Sequence, residues 1–398
     1  MYAPAALSSL ARSGSTRLTL LVTFFALSLG TRAPQLLHEM KPELPLPPLD
    51  LPRLFLFFVM WLLGCAPGAC LKGWGRAASQ EAGRSARLNV VSRRGAPARM
   101  NVLVAGFITI DRIDLNQRQI TSIGGPPSYA GLLCARFGFD VTPLTKVGPD
   151  FPEEQVVWLA RNGLALREVD RSSTKKTTRF RLVVKGEERS LYLVERCEDL
   201  SMAQVPDRQF NASLISPLAH EVSTPLFEEV RKRSDFTFLD PQGFVRMFDK
   251  SGKVYVDRWS DEKVLGNVDA LKMDLEEAYA LTGTADGKAA LAKLSKKVRK
   301  AVVTRGSEPA LVLDGNKIAQ VEVPKVKVVD STGAGDIFAG ALISSFLRSR
   351  DFLWSCCFGI AASSLSLTSI ALGKIELPRS VDQQAKRLYA SSTVVETV

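Results

Sequence analysis

The sequence predicts a three-layer α/β/α fold, with a mostly parallel central sheet and helices on both of its faces. Short apolar runs of strand character alternate with longer helical patterns over the 299 residues that begin at Met100. This length is enough for one large domain with a sizeable core. In open sheets of this kind ligands bind outside the carboxyl ends of the strands, so we expect the functional residues to follow the strand runs.

The first strand run, residues 101–111, begins directly after Met100 and ends in the carboxylate of Asp111. Its apolar character indicates a buried strand. The pair Gly124 and Gly125 comes next and lets the backbone approach another group closely. Taken alone, this glycine pair is better explained by a plain turn.

A change of the hydrophobic period to two marks residues 177–197. Phe180, Leu182 and Val184 occupy alternate positions of a first run, and a second run follows the charged segment 185–189. The pattern predicts a β-hairpin.

Three later segments combine apolar strand character with polar residues: 236–240, 268–278 and 301–306. In the second, Asp274 and Glu277 begin a helical pattern, and acidic residues suit the positive end of a helix dipole. A helix start therefore explains these two residues as well as a binding role does. The third segment ends in a Thr-x-Gly turn at Thr304 and Gly306.

Residues 329–336, Val-Asp-Ser-Thr-Gly-Ala-Gly-Asp, are followed at once by the apolar run 337–343 and are the most informative stretch. A strand gives way to a helix here, and free amides at a helix N-terminus form a ready anion site. Glycine lets the backbone approach the anion and adopt positive φ. Asp336, among those donors, is suited to accept a proton from a hydroxyl that attacks phosphorus. The segment therefore predicts phosphate chemistry.

The run 330–336 and the small residues after it resemble the C-terminal signature of the PfkB (ribokinase-like) carbohydrate kinases, which phosphorylate sugars, nucleosides and related polyols from ATP. The other segments occur in the family's order, and the resemblance covers about residues 100–390. It implies a ribokinase-like fold with Asp336 as the catalytic base. It also implies an anion hole made by the amides of Gly333, Ala334 and Gly335.

The same resemblance implies roles for further residues. Substrate would be bound by Asp111, Gly124 and Gly125. ATP would contact Thr304, Gly306, Asp330 and Thr332, together with the loop near Gly373. Glu277 would organise Mg²⁺ and the phosphates through water. The hairpin at 177–197 would belong to a small β-lid that covers the substrate, excludes water and offers a homodimer contact.

Two positions depart from the family pattern. Asp274 stands where the family has an asparagine, and this carboxylate adds negative charge near ATP. Residues 126–129 replace an asparagine-bearing loop of many ribose and fructose kinases, which weakens a simple ribokinase assignment. A sugar, an inositol-like polyol and a nucleoside all stay open as the acceptor. A catalytically silent nucleotide-binding sensor is an alternative of another class.

Motifs of other nucleotide and metal sites are missing from the sequence. It contains no Gly-x-x-x-x-Gly-Lys-Ser/Thr, so it is not a P-loop enzyme. The 333–335 turn lacks the third glycine of a dinucleotide-binding fold. With His38 and His220 as its two histidines and no Cys-x-x-Cys, the chain is not expected to bind zinc.

Residues 1–99 differ in kind from the rest. They hold twelve basic and four acidic side chains, against 40 and 37 in the remainder, so most of the net charge of +11 lies there. The basic balance is therefore a poor indicator of nucleic-acid binding, and we expect no such partner. Two apolar runs stand out: 18–29 resembles a signal peptide, and 54–71 is a marginal membrane span.

We divide the chain into a leader, 1–99, which is non-native or disordered, and a kinase domain, 100–398. Met100 stands directly before the first strand run, so we hypothesise that the native protein starts there and is cytoplasmic, with reduced cysteines. One alternative is a kinase anchored to a membrane through residues 18–29 or 54–71. Another is a membrane-bound structural protein in which the kinase-like region is incidental.

Overall fold

The computed structural model describes residues 99–115, 118–185, 188–368 and 378–398. The strands, in chain order, are β1 (Asn101–Ala105), β2 (Thr109–Leu115), β3 (Arg118–Gly124), β4 (Asp140–Leu144), β5 (Arg179–Lys185), β6 (Glu188–Glu195), β7 (Ala212–Ile215), β8 (Thr237–Leu239), β9 (Arg246–Phe248), β10 (Val254–Val256), β11 (Ala270–Asp274), β12 (Lys300–Arg305), β13 (Glu308–Asp314), β14 (Lys317–Val321) and β15 (Thr393–Thr397).

The α-helices of the same residues are α1 (Leu132–Arg136), α2 (Glu153–Arg161), α3 (Thr224–Lys232), α4 (Gln242–Val245), α5 (Glu262–Leu265), α6 (Leu275–Thr282), α7 (Gly287–Leu294), α8 (Ala334–Ser349), α9 (Phe352–Ser366) and α10 (Pro378–Ser391). A π-helical turn, Pro127–Gly131, runs directly into α1.

The central sheet has nine strands in the spatial order β4, β1, β7, β8, β11, β12, β13, β14, β15. The six strands from β4 to β12 are parallel to their neighbours. The last three continue the sheet in antiparallel hairpins. The predicted mostly parallel α/β sheet is therefore confirmed.

Side chains of the central strands alternate between two cores, one on each face of the sheet. In β1, Val102 and Val104 belong to one core, whereas Leu103 and Ala105 belong to the other. Helices α1, α8, α9 and α10 contribute to the first core, and α3, α6 and α7 contribute to the second. Helices thus cover both faces, which confirms the three-layer arrangement.

The run predicted as one strand, 101–111, is two strands in different sheets. β1 ends at Ala105, and Gly106, with φ 154°, turns the chain out of the central sheet. A Cβ at this position would lie 2.3 Å from the carbonyl oxygen of Ser216, so only glycine fits. β2 then carries Asp111 into a second sheet. The prediction was wrong because an apolar pattern does not reveal where a buried chain leaves one sheet for another.

The second sheet, called the lid sheet below, has the order β3, β2, β5, β6. The hairpin predicted at 177–197 is present as β5 and β6, and β5 also pairs in parallel with β2. The lid sheet is therefore twice the size of that hairpin. A separate two-stranded ribbon of β9 and β10 contacts its edge, where the amide of Leu193 donates to the carbonyl of Gly252 at 2.8 Å.

Several sequence-based expectations fall outside the described residues: the leader up to residue 98, with its apolar runs at 18–29 and 54–71, and the loop near Gly373. Within the described ranges, no helix combines the length and the apolar character that a membrane crossing requires.

Candidate active site

A cavity of about 410 Å³ lies between the lid sheet and the start of α8. The lid sheet contributes the apolar side chains of Ile113, Phe180, Leu182 and Leu191, and β11 of the central sheet contributes Lys272 and Asp274. Among the residues predicted from the sequence, the cavity brings together Asp111, Gly125, Glu277, Thr332, Gly333, Ala334, Gly335 and Asp336. The predicted residues that do not line it are Gly124, Thr304, Gly306 and Asp330.

The turn before α8, residues 331–335, is called the anion loop below. Gly333 has φ 72°, and a Cβ there would lie 2.6 Å from the ring of Tyr129. The amide of Ala334 donates to the carbonyl of Ser331 at 3.3 Å, whereas the amides of Gly335 and Asp336 make no such bond to a described residue. Free amides at a helix N-terminus attract anions. The loop can therefore receive a phosphoryl group.

Asp336 lies in the first turn of α8, and the residue is 9% exposed. Its Oδ1 accepts a hydrogen bond of 3.5 Å from the Nε2 of Gln242. Burial raises the pKa of Asp336 to about 7; the charge of Asp240 adds to the rise, and Lys272 and Arg246 oppose it. A carboxylate with a pKa near neutrality is suited to take a proton from an alcohol at physiological pH.

Lys272 on β11 and Asp240 after β8 form a buried ion pair behind the anion loop, with 2.8 Å between Nζ and Oδ2. A Cβ placed on Gly335 would lie 3.2 Å from this Nζ, so the ammonium is adjacent to the loop. Burial lowers the pKa of Lys272, but the charges of Asp240 and Glu277 outweigh that effect and raise it. The sequence reasoning missed Lys272; its signal was a lysine within an otherwise apolar strand run.

Asp274 and Glu277 form a reciprocal cap at the start of α6. The amide of Glu277 donates to Oδ1 of Asp274 at 2.8 Å, and the amide of Asp274 donates to Oε2 of Glu277 at 2.7 Å. The helix-start interpretation thus holds for both residues, and an aspartate caps as well as the family's asparagine would. Both side chains also line the cavity, where burial raises the pKa of Glu277 and Lys272 opposes that rise.

Asp111 lies on the lid side of the cavity, and its Oδ1 is buried without a hydrogen-bond partner among the described residues. Burial raises the pKa of Asp111 to about 6, while contacts with Thr109 and Phe180 oppose the rise. A Cβ on Gly124 would lie 1.9 Å from Oδ2 of Asp111, and one on Gly125 (φ 88°) would lie 2.0 Å from the carbonyl oxygen of Phe107. The glycine pair therefore makes room for the carboxylate and is more than a plain turn.

Two arginines from outside the central sheet also line the cavity. Arg189 of β6 reaches from the lid to the anion loop, where its Nη1 donates to Oγ of Ser331 at 2.7 Å. Arg246 begins β9. The sequence reasoning missed both, as it missed Gln242, because nothing in the chain order relates these residues to the anion loop.

The predicted nucleotide contacts are spread along the neighbouring strand ends. Thr304 on β12 is the register partner of Asp274, and its hydroxyl donates to the carbonyl of Met273 at 3.4 Å. Gly306, with φ 64°, lies in the following turn. Oδ1 of Asp330 accepts from the amide of Thr332 at 2.9 Å and thus shapes the anion loop from within.

A model of the pfkB family of carbohydrate kinases matches residues 117–378, about two thirds of the chain. The chain belongs to the PfkB family. This PfkB-family chain is accordingly a kinase, a phosphotransferase that acts on a sugar, nucleoside or related polyol.

Two curated relatives illustrate the range of the PfkB family. The cytidine kinase of Thermococcus kodakarensis is 26% identical over 63% of this chain and 90% of its own length. The inositol 3-kinase of Arabidopsis thaliana is 24% identical over 72% of this chain and 79% of its own length.

Solved structures of low identity share the fold. A pyrophosphate-dependent kinase in the ribokinase family, complexed with a pyrophosphate analog and myo-inositol, has a TM-score of 0.62 and 21% identity over 71% of this chain and 99% of its own. The ribokinase of Arabidopsis thaliana, complexed with ribose and ATP, has a TM-score of 0.57 and 20% identity over 73% of this chain and 99% of its own.

Proposed function

We propose that this kinase transfers the γ-phosphoryl group of ATP to a hydroxyl of a sugar, polyol or nucleoside, with Asp336 as the general base. The observation that carries the proposal is the position of the buried Asp336 carboxylate. It shares the start of α8 with the free amides and faces the same cavity as Asp111. A proton acceptor and an anion site thus adjoin a pocket that can hold an alcohol.

In this mechanism Asp111 accepts a hydrogen bond from one substrate hydroxyl and holds the acceptor below the lid sheet. Asp336 takes the proton from a second hydroxyl, whose oxygen attacks the γ-phosphorus while the bond to the β-γ bridging oxygen breaks. Negative charge on the transferred group is stabilised by the free amides at the start of α8 and by the ammonium of Lys272. The lid sheet keeps water from competing as the acceptor.

Mg²⁺ fits this site as an ion carried by the nucleotide. Among the described residues no three His, Cys, Asp or Glu side chains form a chelating group. Asp274 and Glu277 each keep one carboxylate oxygen outside their reciprocal cap, at the cavity wall. Mg²⁺ retains several waters and binds mainly to phosphates, so these two carboxylates would hold it through water. When bound, it would offset the charge of the β- and γ-phosphates.

ATP as the donor is supported by membership of a kinase family and by the shared fold of a ribokinase complexed with ribose and ATP. Thr304, Gly306, Asp330 and Thr332 stay our candidates for contacts with it. Pyrophosphate is the alternative phosphoryl donor to test against ATP, because a pyrophosphate-dependent kinase shares the fold as well.

The experiment is a screen of purified protein with Mg²⁺, either ATP or pyrophosphate, and myo-inositol, ribose or cytidine as acceptor. Phosphorylated product is measured by mass spectrometry. We expect product with ATP and at least one acceptor, and loss of product with the Asp336→Asn variant while ATP still binds. Unchanged turnover by that variant would refute the assignment of the base. ATP binding without product from any acceptor would favour the silent sensor.

We also propose that the protein is cytoplasmic and forms a homodimer through the lid sheet. β3 is an edge strand of that sheet, and edge strands carry backbone groups that can pair with a second chain. Mass photometry of the protein with and without a proline at an outward position of β3 tests the dimer.

A further inference from the structure

We propose that Arg246 is a specificity residue that selects an uncharged acceptor. In this proposal its guanidinium donates hydrogen bonds to hydroxyl oxygens of a substrate that lies between Asp111 and Asp336, and the site rejects sugars that already carry a phosphate. The proposal rests on the proposed function of the site and adds the charge class of the acceptor to it.

The side chain of Arg246 is half-buried at the cavity wall. Among the described residues it has no carboxylate within 4.0 Å, and no hydrogen bond of its guanidinium is found. A guanidinium has five N–H donors, and burying them without acceptors costs free energy. An acceptor that enters the cavity would satisfy them, and hydroxyl oxygens are acceptors.

The charges around Arg246 favour a neutral ligand. Asp111 and Asp336 line the same cavity as Arg246, and its positive charge opposes the rise in the pKa of both carboxyl groups. The two other cations of the cavity wall are engaged elsewhere: Lys272 is paired with Asp240, and Arg189 donates to Ser331 of the anion loop. With both carboxylates ionised, Asp111, Asp336 and Arg246 together carry one net negative charge. A phosphate placed there would therefore be repelled.

The shape of the cavity agrees with a ring that has an apolar face and a polar rim. Ile113, Phe180, Leu182 and Leu191 of the lid sheet form an apolar cover. Asp111, Gln242 and Arg246 offer hydrogen bonds around it. Cyclic polyols and furanose rings present C–H groups on their faces and hydroxyls at their edges. Such rings match this distribution of apolar and polar walls.

Contacts outside the cavity hold the backbone of Arg246. A ring nitrogen of His220 lies 2.5 Å from the carbonyl oxygen of Arg246 and donates to it. The ribbon that begins at Arg246 is in turn bonded to the lid edge through Leu193 and Gly252. Arg246 is therefore held by the segment after β7 and, through the ribbon, by the lid sheet, so we expect its contact with substrate to depend on the position of the lid sheet.

The test measures acceptor binding by calorimetry without a donor, using myo-inositol, ribose, cytidine and ribose 5-phosphate as probes. The variants are Arg246→Gln and Arg246→Lys, with Arg181→Gln as the control. Arg181 lies on the lid sheet but is ion-paired with Asp114 and does not line the cavity. Thermal melting verifies that each variant is folded.

We expect the wild type to bind at least one neutral probe and to bind ribose 5-phosphate at least tenfold more weakly than ribose. Arg246→Gln should weaken binding of the neutral probe about tenfold or more, since a hydrogen bond from a charged group is lost. Arg246→Lys should bind the neutral probe more tightly than Arg246→Gln but more weakly than the wild type, and Arg181→Gln should bind it as the wild type does. A deoxy analogue that lacks the contacted hydroxyl should bind equally to the wild type and to Arg246→Gln.

Three results would overturn the proposal: binding by a folded Arg246→Gln variant within twofold of the wild type, a preference of the wild type for ribose 5-phosphate, or no binding of any neutral probe. A wild type that binds a neutral probe through Arg246 but transfers no phosphate would contradict the proposed function and leave the role of Arg246 standing.

Discussion

Lys272 and Asp240 pair behind the anion loop with 2.8 Å between Nζ and Oδ2, and both are buried or nearly so. The pair brings a cation close to the anion loop without adding net charge to the core. It also acts on the carboxylate of Asp336, because Asp240 raises the pKa of this group while Lys272 lowers it. The balance between these two charges therefore tunes the proposed base.

The first prediction concerns the pH dependence of turnover. Because the proposed base Asp336 must be ionised to take a proton and its pKa without substrate is raised to about 7, kcat/KM should fall about tenfold for each pH unit below 7. Asp240→Asn removes a negative charge that raises this pKa and also frees the charge of Lys272. Both effects lower the pKa of Asp336, so the acidic limb should move to lower pH. A pH–rate profile of both proteins measures this, and a limb that stays in place or moves upward contradicts it.

The second prediction is a trade between stability and activity at Asp336. The pKa of this group is higher in the fold than the ordinary value of 3.8. Buried Asp336 therefore favours the folded state most at low pH, where it is protonated, and this contribution to stability is lost as pH rises through about 7. Asn mimics the protonated form. At pH 8.5 Asp336→Asn should therefore raise the free energy of unfolding, by at most about 4 kcal/mol, while kcat falls by about 10²-fold or more.

Urea unfolding at pH 5 and pH 8.5 supplies the matched comparison for this variant. The stabilisation by Asn should be clearly larger at pH 8.5 than at pH 5. Equal effects at the two pH values would mean that the ionised carboxylate is not penalised in the fold.

The third prediction separates the two glycines of the anion loop. Gly333→Ala puts a Cβ at positive φ and 2.6 Å from the ring of Tyr129, so the loop must shift. We expect kcat to fall by about 10²-fold or more, as when an oxyanion donor is lost. Gly335→Ala meets the flexible end of Lys272 at 3.2 Å and should cost about tenfold or less. Steady-state kinetics of the two variants measure both losses of kcat. An equal loss, or a larger loss in Gly335→Ala, would count against this loop geometry.

The fourth prediction concerns the contact between the lid sheet and the anion loop. Arg189→Ala removes the hydrogen bond to Oγ of Ser331, so the lid should close less completely over the substrate. We expect the acceptor KM to rise about 3- to 10-fold and ATP hydrolysis without acceptor to increase. Arg181→Ala, which breaks a contact with Asp114 on the same sheet, is the control and should change neither quantity. Identical behaviour of the two variants would argue against a role of the Arg189–Ser331 hydrogen bond in closing the lid sheet.

Much of the site could be predicted because its chemistry is concentrated in one short segment. The run 330–336 holds the proposed base and the glycines close together in the sequence, and the turn that these residues form depends mainly on the run itself. Lys272, Gln242, Arg189 and Arg246 could not be found in this way. They come from four different elements, and only the folded chain brings them to one cavity.

By itself the sequence determined the fold class, the family and the identity of the candidate base. These depend on alternating apolar runs and on a loop whose function follows from its own residues. The tertiary structure alone decided that 101–111 is two strands in two sheets, that Asp274 and Glu277 cap each other, and that Arg246 lines the same cavity as Asp111 and Asp336. Burial and pairing between distant segments determine these contacts, because the electrostatic environment of a side chain is set by the residues that the fold brings next to it. Asp336 thus carries a raised pKa that no neighbour in the chain explains.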